Sequence, residues 1–193
     1  SAWGNDPDDH NPLIFPLPRA QEGREIALAL DPHTTDLPAQ ITAARELGAT
    51  TLSITIPWQA LEPSPTVFDP GWLTTLQAFA QTAELAGMRL IVNLDLVDRT
   101  QLGLPQDLRT SVMADAAKLN GTALQQRAMA ALSQIHTALG DTPVIALRLG
   151  REVDRYAAGA QTAAYWNAYA AVLPTLRQHA QSLWGTGLAV GVS

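Results

Sequence analysis

The feature that most constrains the fold of this chain is a rhythm. Five short apolar runs, at 26–30, 50–56, 88–96, 144–149 and 188–192, are separated by long stretches with helical spacing. The runs carry few polar residues. That is the pattern of strands buried on both faces of a parallel sheet, not of strands with one wet face. Between the first two runs, Ile41, Ala44 and Leu47 share a helix face over 37–47, with Asp36 placed to cap the start and Gly48 the end. Asp69-Pro70 supplies a cap followed by proline at the first helical position, and Leu73, Leu76, Phe79, Ala80 and Ala83 follow before Gly87. Thr122-x-x-Gln125 has the form of a capping box and opens a helix through Leu124, Ala128, Ala131, Leu132 and Ile135 to Gly140. The last helix covers 162–183, with a kink expected at Pro174.

Each crossover is long enough for a right-handed βαβ unit. The expected fold is therefore α/β, a parallel βα-repeat of five strands and four helices. The strands run in sequential order with helices on the outer face, as in a partial (β/α)8 barrel. An open doubly wound sheet fits the same rhythm. A whole barrel takes about 250 residues, and this chain has 193. Residues 1–25 are rich in Pro, Asp and Asn around one apolar knot, Leu13-Ile14-Phe15, and read as a lead-in segment to a domain over 26–193.

Composition removes several functions. Twelve basic residues against 18 acidic give a net charge of −6, with no run of like charge, which argues against a nucleic-acid surface or a polybasic membrane patch. There is no cysteine, so disulfide scaffolds, thiol nucleophiles and Cys-ligated metal sites are excluded. His10, His33, His136 and His179 show no ligand spacing, and no cofactor or metal is expected. No stretch reaches the ~18 apolar residues of a membrane span. The cysteine-free, Pro/Asp-rich start favours an extracytoplasmic location and allows a cytoplasmic one.

In either architecture ligands bind beyond the C-terminal ends of the strands. The residues found there are Asp31 and His33, then Trp58 and Glu62, then Asn93, Asp95 and Asp98, then Arg151, Glu152 and Asp154. No glycine-rich phosphate loop follows any strand. An edge of carboxylates with one indole suits a carbohydrate: the indole stacks on C–H faces and the carboxylates accept from hydroxyls. Glycosidic cleavage needs a general acid and a second carboxylate. The same residues also have plain structural readings, Asp31 as a turn former before Pro32 and Asp95 and Asp98 as loop caps.

Ile56-Pro-Trp-Gln-Ala-Leu-Glu-Pro63, followed by Phe68-Asp69 and Trp72-Leu73, resembles the second βα unit of clan A glycoside hydrolases, which are retaining enzymes on (β/α)8 barrels. Ala86-Gly-Met-Arg-Leu-Ile-Val-Asn93 is similar to their third strand, and Leu147-Arg-Leu-Gly-Arg-Glu-Val-Asp154 to the end of their fourth. The resemblance covers residues 26–192, the first five of eight units. It implies that Glu152 takes the general acid/base position. Their common position after strands is expected to bring Asp31, Trp58, Asn93, Asp95 and Arg151 together with Glu152 on a shared substrate cleft. Trp58 has a second reading as an indole packed under a loop, and Glu152 as a surface residue paired with Arg151 or Arg155. Tyr165, Trp166 and Tyr169 read as packing.

Two departures from that family bear on activity. Arg151 stands where the family has Asn, and its charge next to Glu152 is expected to favour the carboxylate over the acid. The family's nucleophile comes from a seventh strand, which this sequence does not contain. The expectation is a carbohydrate-active domain that is inactive or incomplete as an isolated chain, needing a second carboxylate from elsewhere. The alternative is a non-catalytic binding or assembly domain derived from such a barrel. In both cases the open sheet edges are expected to be covered by segment 1–25, a second copy or another polypeptide.

Overall fold

The computed structural model describes residues 26–99, 101–157 and 162–192. The lead-in segment and its apolar knot lie outside the described residues. In chain order the elements are β1 (Ala27–Leu30), α1 (Leu37–Glu46), β2 (Thr51–Ile56), α2 (Trp58–Leu61), α3 (Pro70–Leu85), β3 (Arg89–Asp98), β4 (Gln101–Leu102), α4 (Gln106–Ala114), a 3-10 helix (Ala116–Asn120), α5 (Thr122–Leu139), β5 (Val144–Arg151), α6 (Val153–Ala157), α7 (Thr162–Trp184) and β6 (Ala189–Gly191).

Five strands form one parallel sheet in the order β1-β2-β3-β5-β6, and β4 is a two-residue antiparallel addition to the end of β3. The order is the sequential one read from the rhythm, so the doubly wound alternative falls. Each long helix packs on the next, α1 on α3, α3 on α5 and α5 on α7. Among the described residues the sheet does not close, and β1 and β6 each have one neighbour.

Alternation along the strands sorts the two faces. Leu52, Ile54 and Ile56 of β2, Leu90, Val92, Leu94 and Leu96 of β3, and Leu147 and Leu149 of β5 are all buried in one core with Leu76, Phe79 and Ala83 of α3 and Leu132 and Ile135 of α5. The opposite face carries Ala27 and Ala29, Thr51, Ser53 and Thr55, Ile91 and Asn93, Ala146 and Arg148, and Ala189 and Gly191, placed side by side by the register. At its flanks this face is exposed, at Ala27, Ala29, Ala189 and Gly191.

Local chemistry sets the helix starts. Asp69 accepts from the Trp72 backbone N–H at 2.7 Å, and Asp36 from that of Ala39 at 3.3 Å, each satisfying an otherwise orphaned donor. The capping box at Thr122 does not form. Gly121 is the cap residue, without a side-chain bond, and Gln125 reaches back to the carbonyl and side-chain oxygens of Asn120, both at 2.9 Å. The 3-10 helix just upstream offers those acceptors first. The stretch 99–121, for which the sequence announced no element, contains β4, α4 and the 3-10 helix. Its apolar pattern is too short to announce them, with Leu108 and Val112 the only buried residues of α4.

Candidate functional site

The C-terminal ends of β3 and β5 meet in a network of charges. Arg151, the last residue of β5, donates from Nε to Asp95 Oδ1 and from Nη2 to Asp95 Oδ2, each at 3.2 Å, and from Nη2 to Asp98 Oδ1 at 2.9 Å. The next residue, Glu152, lies 3.3 Å from Nε of Arg99 and 2.8 Å from Nη1 of Arg155. The backbone closes the same junction, with the Arg99 N–H donating to the Arg151 carbonyl at 3.0 Å. Glu152 therefore turns toward the end of β3.

Backbone geometry at this edge is unusual. Arg99 has φ +56° and Glu152 φ +47°, left-handed values that cost a side-chain-bearing residue roughly 1–2 kcal/mol. Such outliers gather where surrounding contacts hold them and where function sits. Gly150 has φ +112°, and a Cβ there would come within 2.9 Å of the Tyr169 hydroxyl. That hydroxyl donates to the Leu149 carbonyl, so the glycine lets α7 approach the last turn of the strand. Gly103, after β4, is fixed by contact instead, since a Cβ there would overlap the backbone oxygen of Asp95.

Asp95 is buried, and burial pushes its carboxyl up from 3.8 to about 6. The Arg151 charge pulls the other way, the Asp98 charge adds to the rise, and the Arg151 hydrogen bond again lowers it.

The other expected cleft residues separate from this cluster. Asp31 is exposed and closes its own turn, accepting from the His33 backbone N–H at 2.9 Å. Trp58 is fully buried, and its indole N–H donates to Glu62 Oε2 at 2.8 Å. It is the indole packed under a loop, and its face is not available for stacking on a sugar. Glu62, also fully buried, accepts from the Thr66 N–H and from Arg127 Nε, each at 2.8 Å, while Arg127 reaches on to Asp107. Asn93 sits deeper on the sheet and donates to Ser53 Oγ at 2.9 Å and to the Ile54 carbonyl at 3.0 Å.

Arg151 does not lie against Glu152 as expected from adjacency. Its guanidinium faces the two aspartates of β3, and the cations beside Glu152 are Arg99 and Arg155. The contribution of Arg99 was missed. The one signal for it in the sequence is its place immediately after Asp98 at a strand end.

No protein-family profile matches the chain, and no curated protein matches it in sequence. Solved structures do match. A GH5_18 protein from Bifidobacterium longum subsp. longum ATCC 55813 aligns over 88% of this chain and 44% of its own at 16% identity, with a TM-score of 0.63. A GH5_18 variant from Streptomyces cattleya in complex with Manβ1-4GlcNAc aligns over 87% of this chain and 44% of its own at 13% identity, with a TM-score of 0.68. The fold is that of the GH5 glycoside hydrolases. The exo-β-1,4-mannosidase Op5Man5 from Opitutaceae bacterium strain TAV5 aligns over 82% of this chain but 30% of its own at 16% identity, with a TM-score of 0.61. The chain spans less than half the length of these glycosidase structures.

On this glycosidase fold the charged cluster occupies the edge where parallel barrels bind ligands. Its carboxylates are engaged by guanidiniums. Tyr165 and Tyr169 are buried behind it, stacked with ring centroids 5.7 Å apart, while Trp166 stays partly exposed. Among the described residues no group of three or more His, Asp or Glu is placed to hold a metal ion, and no helix is long and apolar enough to cross a membrane.

Proposed function

We propose that residues 26–193 form a carbohydrate-handling part of a glycosidase barrel, with Glu152 at the general acid/base position and the second carboxylate supplied from outside this chain. The observation that carries the reading is the place and conformation of Glu152. It follows the fourth strand of the parallel sheet, in a left-handed backbone conformation, turned toward the end of β3 where Asp95 and Asp98 lie. An acid/base carboxyl there would protonate the leaving oxygen and later activate water. Asp95, Asp98 and Arg151 would orient sugar hydroxyls.

A second reading, a non-catalytic sugar-binding or assembly domain, is favoured by one specific feature. Both oxygens of Glu152 lie within ion-pair distance of a guanidinium. A proton donor has to release those partners before it can act.

Titration of the chain with Manβ1-4GlcNAc, followed by backbone amide shifts, tests the shared part of both readings. Binding should move amides at 95–99 and 148–155. Shifts confined to other parts of the chain, or none, would refute a carbohydrate site at this edge.

A further inference from the structure

One pair of side chains is left unused by the strand-end cluster. Asn93 of β3 and Arg148 of β5 are register partners, so they stand side by side on the face of the sheet opposite the helices. Asn93 turns its amide N–H groups toward β2, donating to Ser53 Oγ, to the Ile54 carbonyl and, at 3.4 Å, to Thr55 Oγ1. Its oxygen Oδ1 is buried and has no hydrogen-bond partner among the described residues, although the residue is only 3% exposed. Arg148 is half-buried in mid-strand and has no ion pair or side-chain hydrogen bond among the described residues. Its register neighbour on β6 is Gly191, where a Cβ would meet nothing within 4 Å, so the sheet face is open at the strand beside Arg148.

A buried amide oxygen without a donor and a half-buried cation without an anion are both costly. Their needs are opposite and adjacent. The guanidinium is donor-only and is best satisfied by the two oxygens of a carboxylate. The amide oxygen needs a donor, which a simple deprotonated anion cannot give and a hydroxyl can. Strands in a sheet lie about 4.8 Å apart, a span that fits a carboxylate and a hydroxyl on neighbouring carbons. The nearby carboxylates Asp95 and Asp98 are already held by Arg151 and leave Arg148 unclaimed.

We propose that Arg148 and Asn93 recognise a sugar acid, the guanidinium taking the carboxylate of a pyranuronate and the amide oxygen taking its neighbouring ring hydroxyl. The inference rests on the carbohydrate reading above and adds to it a place for one acidic sugar unit. Arg148 is a recognition residue here, with no part in bond cleavage.

The test is calorimetric titration of the whole chain with sodium D-glucuronate, with D-glucose and sodium acetate at matched ionic strength as comparisons. Glucuronate should bind saturably, with a Kd on the order of 1 mM, and Arg148→Gln should weaken it about tenfold or more. Among the described residues Arg148 has no ion pair or side-chain hydrogen bond to lose, and circular dichroism checks that the variant keeps the fold. Glucose and acetate should each bind far more weakly than glucuronate. Equal binding of acetate would overturn the sugar-acid assignment, because the carboxylate alone would then be read. Glucuronate binding unchanged in Arg148→Gln, or no better than glucose, would overturn it as well. If Manβ1-4GlcNAc moves the strand-end amides while glucuronate does not bind, this inference falls and the carbohydrate reading stands. If neither binds, both fall.

Discussion

Arg151 grips Asp95 with two parallel contacts of 3.2 Å, Nε on one carboxylate oxygen and Nη2 on the other. The first residue ends β5 and the second lies within β3, so one ion pair joins the two strands whose ends make the candidate site. Asp95 is buried on the same edge, and that burial sets its protonation.

The first prediction concerns that protonation. The folded carboxyl of Asp95 sits at about 6 against an ordinary 3.8. A raised carboxyl favours folding when protonated. The stability from this group is fully present below the unfolded value and is lost as pH rises through 6. The whole effect is at most about 3 kcal/mol. Carbon-detected NMR of the carboxyl should give a midpoint near 6, and Asp95→Asn should flatten the stability profile between about pH 4 and 7. In Arg151→Gln the midpoint should rise further, because the Arg151 charge lowers it. A midpoint near the ordinary value would contradict the buried placement.

The second prediction concerns the buried network around Glu62. Glu62 is fully buried and holds Trp58, Thr66 and Arg127. Glu62→Ala leaves the indole N–H unpartnered and Arg127 without its buried carboxylate, so a loss of about 3–5 kcal/mol is expected. Asp107→Asn, at the half-exposed end of the same chain of contacts, should cost less than about 1 kcal/mol. Urea denaturation of both variants measures the difference. Equal losses would mean that the buried carboxylate does not hold the network together.

The third prediction separates two glycines. Gly103→Ala would drive a methyl group into the Asp95 backbone oxygen, whereas a Cβ at Gly187 meets nothing within 4 Å. Thermal unfolding should place the first variant about 1–3 kcal/mol below the parent and the second within about 0.5 kcal/mol of it. Gly103→Ala should also shift the Asp95 midpoint, since the displaced atoms belong to that residue.

Much of the fold was legible because its signals are local. The apolar runs at 50–56 and 88–96 are buried on both sides, which their composition reveals, and Asp69-Pro70 starts α3 as its chemistry requires. The small elements between Arg99 and Gly121 were not legible, because a two-residue strand and a nine-residue helix with two buried side chains carry too little periodicity. The edge was legible in part: Arg151 and Glu152 fall at the end of β5 as read, whereas Asp95 lies within β3, which runs on to Asp98. The partners of these residues were not. Adjacency placed Arg151 against Glu152, but the chain leaves β5 through a left-handed Glu152, and Arg151 crosses to β3 while Arg99 and Arg155 reach Glu152. Trp58 illustrates the same gap: its spacing to Glu62 is that of one helical turn, and the indole N–H bonds the carboxylate inside the core instead of facing the cleft.

The most direct measurement is turnover of a panel of aryl β-glycosides by the purified chain, with Glu152→Gln alongside. A retaining mechanism needs two carboxylates about 5–5.5 Å apart, and in this account Glu152 is the only one of them that the chain provides. The account predicts no release of the aryl alcohol above the uncatalysed rate, from parent or variant. Steady hydrolysis by the parent that disappears in Glu152→Gln would contradict it, and would place the second carboxylate within these 193 residues.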